Sequence, residues 1–198
     1  KVKSGTFAME TGMTARDALE ILVYGNTAVI RFTIPEGFSV RDIADRLEQA
    51  GIVQADEFMT RAEHYRPYSY VEEHDEVRYA AEGLLFPDTY EINDSISEIN
   101  GEFDAARIME MMAENFDRRL TKEMRTRAAE MNLSIYDLVT LASIVEKEAY
   151  HDEDRPIIAQ IFLKRLQIGM PLQAAPTIQY LLNQPKEDLL LRDTEIDS

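Results

Sequence analysis

The stretch VIRFTIPEGFSVRDIADRLEQAG, Val29–Gly51, carries the fold in miniature. Val29 to Ile34 reads as an extended segment, Gly37 as a turn, and Ser39 as a hydroxyl N-cap with Asp42 at the third helical position. A helix must follow, closed near Gly51. The same grammar occurs upstream: Gly12-Met13-Thr14-Ala15-Arg16-Asp17 is echoed by Gly37-Phe38-Ser39-Val40-Arg41-Asp42, and Leu22 by Leu47, at a constant offset of 25 residues. Gly5 to Met9 supplies the upstream extended segment, and Gly25 closes the upstream helix. Two copies are too few for a solenoid. Residues 1–80 therefore read as a small α+β module and connector, the latter a Tyr-rich acidic stretch (Tyr65, Tyr68, Tyr70, Glu72, Glu73, Asp75, Glu76) after a short helix from Asp56 to His64.

From Glu82 the texture changes. Glu82-Gly83-Leu84-Leu85-Phe86-Pro87-Asp88-Thr89-Tyr90 is turn-rich and apolar, and after Gly101 the pattern is helical. Phe103 to Met131 reads as one long helix or two, Ser134 with Asp137 caps another, and a third begins at Pro156 behind Asp152 and Asp154 and stops at Gly169. Residues 81–198 are the mainly helical part of an α+β protein.

Composition narrows the function. Of 198 residues, 37 are Asp or Glu and 21 Lys or Arg, a formal charge of −16, so the basic footprint of a nucleic-acid or anionic-lipid binder is missing. No apolar run approaches the roughly 18 to 20 residues that span a bilayer, and no signal-peptide pattern is present. The chain starts at Lys1 without an initiator Met, and reads as a soluble part of something longer. Zero cysteines exclude disulfides, thiolate metal sites and a Cys nucleophile.

Chemistry points to the helix from Ile135 to Ala149. At about 100° per residue with Ala142 at zero, Leu138, Val145, Ala149, Ile135 and Val139 form an apolar stripe, and Glu146 falls at about +40° between Ile135 and Val139. A carboxyl on an apolar face finds a cation or a set of donors, or else stays protonated near neutrality, where it is suited to general acid work on a glycosidic bond. A helix-end Glu paired to Lys or Arg is the plain structural alternative. Glu148 and His151 form Glu-x-x-His, half of a carboxylate metal site, but His64 and His74 follow Arg61 and Val71 at that spacing, so no second half exists. No metal or cofactor is expected, since zincin, nucleophile-elbow and phosphate-loop motifs are also absent.

Three blocks, Glu82 to Tyr90 (EGLLFPDTY), Leu141 to Ala149 (LASIVEKEA) and Ile161 to Tyr180 (IFLKRLQIGMPLQAAPTIQY), together resemble the MltG or YceG-like family of endolytic murein transglycosylases. Ile34-Pro35-Glu36-Gly37-Phe38-Ser39-Val40 resembles the LysM-like portion that precedes the family's catalytic domain. The resemblance covers essentially the whole chain. It implies residues 1–80 as LysM-like module and connector, residues 81–198 as the catalytic domain, and cleavage of peptidoglycan glycan strands between N-acetylmuramic acid and N-acetylglucosamine to leave 1,6-anhydro ends.

The family's catalytic Glu falls on Glu146. Gln173, Thr177 and Tyr180, and Glu82, Phe86 and Tyr90, match the flanking blocks as candidate substrate contacts, with a packed turn or the core as the alternative for each. Glu148 belongs to the catalytic block and is a further candidate site residue, placed to tune Glu146 through space although it projects to another face. The resemblance also implies extracytoplasmic action, a membrane-anchoring helix ahead of the LysM-like part, and penicillin-binding proteins as neighbours. The chain departs from the family in reading Leu172-Gln173-Ala174-Ala175-Pro176-Thr177 where many relatives have Leu-Gln-Ser-Asp-Pro-Thr, and Ser198 precedes the usual Gly-Leu-Pro-Pro-Gly segment. A non-catalytic peptidoglycan-binding module is the competing reading.

Overall fold

A computed structural model of the chain describes residues 7, 9–24, 29–71, 77–92, 98–99 and 102–182. Gly5 and most of the first extended segment, Gly25, Gly101 and the acidic residues Glu72 to Glu76 lie outside the described residues. Helix α1 (Ala15–Tyr24) and helix α2 (Val40–Gln49) share their local entry: Gly12 and Gly37 both take positive φ, at 95° and 74°. Thr14 and Ser39 each exchange hydrogen bonds with the Asp three residues on. The tertiary outcome differs, because α2 buries Val40, Ile43, Ala44 and Leu47 while α1 buries no residue.

Strand β1 (Ile30–Thr33) pairs antiparallel with β2 (Thr89–Ile92), in register Phe32 to Tyr90 and Thr33 to Thr89. The inward face stacks Phe32 on Tyr90 with ring centroids 5.6 Å apart, and the outward face pairs Arg31 with Glu91. Helix α3 (Ala55–His64) packs on α2, and helix α4 (Ala105–Arg119) on α3. Between α4 and β2 lies a short antiparallel pair, β3 (Glu98–Ile99) with β4 (Glu102–Phe103). Phe32, Leu47, Phe58, Ile92, Ile108 and Met112 are all in this one apolar cluster, so its packing joins residues on both sides of residue 80.

The helical region from Phe103 to Met131 is two helices. Helix α5 (Lys122–Glu130) starts afresh because the Thr121 hydroxyl accepts from Met124 N, while Arg125 donates back to Leu120 O at 3.0 Å and to Asp117 at 2.7 Å. Helix α6 (Ile135–Glu148), a 3-10 turn at Asp152–Asp154, helix α7 (Arg155–Gln167) and helix α8 (Ala175–Leu182) follow. They enclose a second, smaller cluster of Leu141, Ile144, Val145, Phe162 and Ala174. The architecture is α+β, mostly helical around a two-stranded sheet.

Candidate active site

Helix α6 is fixed at its start by a reciprocal cap: Ser134 N donates to Asp137 Oδ2 and Asp137 N to Ser134 Oγ, both at 3.0 Å. Its buried residues are Leu141, Ile144 and Val145, which face α7. This corrects the apolar stripe counted from the sequence, whose centre, Ala142, is exposed. The apolar arc of α6 is wide, and only one side of it is covered by the second cluster. The other side, bearing Val139, Ala142 and Glu146, turns towards the first half of the chain, which leaves Glu146 half-buried rather than sunk in a core.

Two glycine turns of the first half meet that side. A Cβ placed on Gly37 would lie 4.0 Å from Glu146 Oε2 and 3.2 Å from Lys147 Nζ, and Lys147 donates to Gly37 O at 2.9 Å. A Cβ on Gly83 would lie 2.5 Å from Val139 Cγ1. Val139 and Glu146 are two helical turns apart on one face, about 10 Å along the axis. Exposed Ala142 lies between them, so an open face of α6 runs from the Gly37 turn at one end to the Gly83 turn at the other, the candidate cleft floor. Among the described residues no ion pair reaches Glu146, which leaves its carboxylate available.

Helix α8 runs back along α6. Glu148 accepts from Ala175 N at 3.2 Å, and so takes the place of an N-cap that Ala174 cannot provide. Arg165 donates to Leu172 O, Gln173 sits at φ 53°, and the Thr177 hydroxyl donates to Ala174 O at 2.7 Å. Gln173 is exposed and Thr177 faces its own turn. Tyr180 donates to Glu82 Oε2 at 2.8 Å, and Glu82 also accepts from Val40 N at 3.0 Å. Burial pushes the Glu82 carboxyl above the usual carboxylate range, against the opposing pull of the Tyr180 and Val40 donors. Burial, then the neighbouring Glu82, raises the Tyr180 phenol.

Phe86 and Tyr90 make their contacts with α4. Tyr90 is 7% exposed, donates to Phe86 O and accepts from Asn115 Nδ2 at 3.2 Å, so its ring and hydroxyl are both committed to the core. Phe86 N donates to Met112 O, and the Arg119 guanidinium lies 4.5 Å over the Phe86 ring. Asp88 joins the same network: the Asn115 amide first, then Thr89 N and Arg119, hold its carboxyl below the usual range. The first block is therefore a structural corner, of which Gly83 meets α6 and Glu82 meets α8.

Gly37, Lys147 and Val139 were not legible as cleft residues. The positive φ of Gly37 was signalled by its turn, but its distance from Glu146 follows only from the packing of residues over a hundred positions apart. Among the described residues no three His, Asp or Glu side chains gather as a metal site.

The chain is 30% identical over its whole length to the endolytic murein transglycosylase of Streptococcus pneumoniae strain D39, and spans 39% of that protein. It is 34% identical over 62% of its length to the endolytic murein transglycosylase of Bacillus subtilis strain 168, of which the match covers 32%. Its fold matches the crystal structure of a YceG-like protein from Listeria monocytogenes with a TM-score of 0.69 at 27% identity, over all of this chain and 67% of that one. The chain spans less than half the length of these curated relatives. The family description that matches residues 1–198 is YceG-like, and the chain belongs to the YceG-like family.

Proposed function

We propose that the chain is the core of an endolytic murein transglycosylase that cleaves the glycan strand of peptidoglycan between N-acetylmuramic acid and N-acetylglucosamine. The observation that carries the reading is Glu146: a half-buried carboxyl with no ion-pair partner among the described residues, on the open side of α6. An ordinary glycosidase needs two carboxyl groups, one to protonate the leaving oxygen and one to act as nucleophile or base. Only one is needed when the muramic acid O6 hydroxyl attacks its own anomeric carbon, since the ring holds the nucleophile in place. The Glu146 carboxyl first gives its proton to the glycosidic oxygen as the C1–O bond breaks. The resulting carboxylate then takes the O6 proton as the O6–C1 bond forms, which closes the 1,6-anhydro ring and restores the acid.

The β1, Gly37 turn, α2 and α3 unit supports a LysM-like assignment of the first part, with residues 81–198 as the catalytic part, of which β2 and α4 pack into the same core as the first. Action outside the cytoplasmic membrane, on a tethered protein that works beside penicillin-binding proteins, belongs to the same proposal. The test is mass spectrometry of products from purified glycan strands, wild type beside Glu146→Gln. Internal 1,6-anhydro ends from wild type and none from the variant are expected. Equal products from both would move the acid elsewhere, and strand binding without product from either would favour a non-catalytic binding module.

A further inference from the structure

Helix α8 is eight residues long and buries none of them. A helix of that length is not stable by itself in water, where about 12–15 residues are the marginal length. Among the described residues none of it is buried in the core, and polar tethers hold it at both ends. At its first turn the tether is Glu148, which accepts from Ala175 N. At its far end Tyr180 crosses to Glu82, 98 residues earlier in the chain, and that carboxyl simultaneously accepts from Val40 N at the start of α2. Glu82 adjoins Gly83, the residue in contact with Val139 on the cleft floor. One carboxylate therefore links α8, the first turn of α2 and the turn that meets Val139.

We propose that Glu82 and Tyr180 are positioning residues: their hydrogen bond latches α8 to the turn before Gly83 and the start of α2, and so holds α8, with Thr177 and the preceding Gln173, in place beside α6. The latch rests on the transglycosylase reading for its effect on turnover but not for its existence. Tyr180 is about half exposed, and Tyr180→Phe removes one hydroxyl without changing the ring, so the fold is retained. A hydrogen bond to a carboxylate has the strength to change an opening equilibrium roughly 10- to 100-fold.

The experiment measures amide hydrogen exchange in the intact chain for wild type, Tyr180→Phe, Glu82→Gln and the double variant, with glycan-strand kinetics alongside. Exchange of the α8 amides is expected to accelerate roughly 10- to 100-fold in Tyr180→Phe with α4 unchanged, and the double variant to match the more affected single variant. KM for glycan strands is expected to rise about tenfold with kcat within about twofold, the pattern of lost substrate binding; a loss of folded protein would lower kcat and leave KM alone. Wild-type exchange at α8 in Tyr180→Phe, additive effects in the double variant, or a fall in kcat with unmoved KM would each overturn the latch. Should wild type yield no product, the function reading fails while the exchange data still decide the latch.

Discussion

Three glycines with positive φ make a graded test of how the two halves of the chain touch. Gly51, Gly37 and Gly83 have φ of 66°, 74° and 76°, so an alanine at each carries a similar backbone penalty, about 1–2 kcal/mol. Their surroundings differ. Nothing lies within 4 Å of a Cβ on Gly51; on Gly37 the nearest atom is Lys147 Nζ at 3.2 Å, the end of a flexible side chain that swings away easily. On Gly83 it is Val139 Cγ1 at 2.5 Å, a stiff branched side chain on a packed helix. Overpacking adds about 1–3 kcal/mol there, so Gly83→Ala should lose about 2–5 kcal/mol against about 1–2 for the other two. In a domain of this size each kcal/mol moves Tm by about 2–4 °C. Urea unfolding, read as midpoints at constant slope, gives the ranking. Adding Val139→Ala removes the clashing carbon, so the Gly83→Ala, Val139→Ala pair should be less destabilised than the sum by about 1–3 kcal/mol. If Gly83→Ala costs no more than Gly51→Ala, α6 does not rest on the Gly83 turn and the cleft described above is wrong.

Glu146→Gln should leave the urea midpoint within the error of wild type, since the carboxylate is half exposed and unpaired among the described residues, while product formation is lost. Tyr90→Phe should cost about 1–3 kcal/mol in chemical denaturation, because Phe86 O and the Asn115 amide lose a buried partner. Asp88 is held below its ordinary value of 3.8, so its contribution to stability is full above that pH and is lost as pH falls through the lowered value. Asp88→Asn should therefore flatten the acid limb of a stability–pH curve. Glu82 has the opposite sign: raised above 4.5, it favours the fold most below that pH and less as pH rises through the raised value, so Glu82→Gln should remove a decline on that side. Ser134→Ala should destabilise by about 1 kcal/mol, measured by thermal unfolding, through loss of the α6 cap.

Local features were legible in the sequence because local chemistry decides them. Ser39 with Asp42 and Ser134 with Asp137 announce their helices, and each forms the reciprocal cap that its spacing requires. Glu146 was placed on an apolar arc of α6, but the count could not say which part of a wide arc the rest of the chain would cover, so exposed Ala142 was put at its centre. Tyr180 and Glu82 both stood out as candidates, yet nothing in either neighbourhood says that they bind each other across 98 residues. Tyr90 reads as suited to cleft or core, the core being favoured. Asn115, the amide that settles its place, lies 25 residues away on α4 with no motif to flag it.

The sheet has a consequence for how the chain acquires its structure. Even the nearest partners of β1 and β2, Thr33 and Thr89, are separated by 56 residues, so the hairpin that aligns them is not a turn but most of the first cluster. Closing a loop of that length costs about 3.6 kcal/mol beyond a constant, before any ladder bond forms. Helices α2 and α3 need no such closure, because their contacts are close in sequence. On a ribosome they emerge and pair while β2 is still unsynthesised, with Phe32 and Ile34 waiting for a strand that arrives later. Non-local pairing of this kind raises contact order and slows folding. The slow step of this protein is therefore expected to be the docking of Thr89–Ile92, and substitutions in that strand should change the rate of folding more than those in the capped helices.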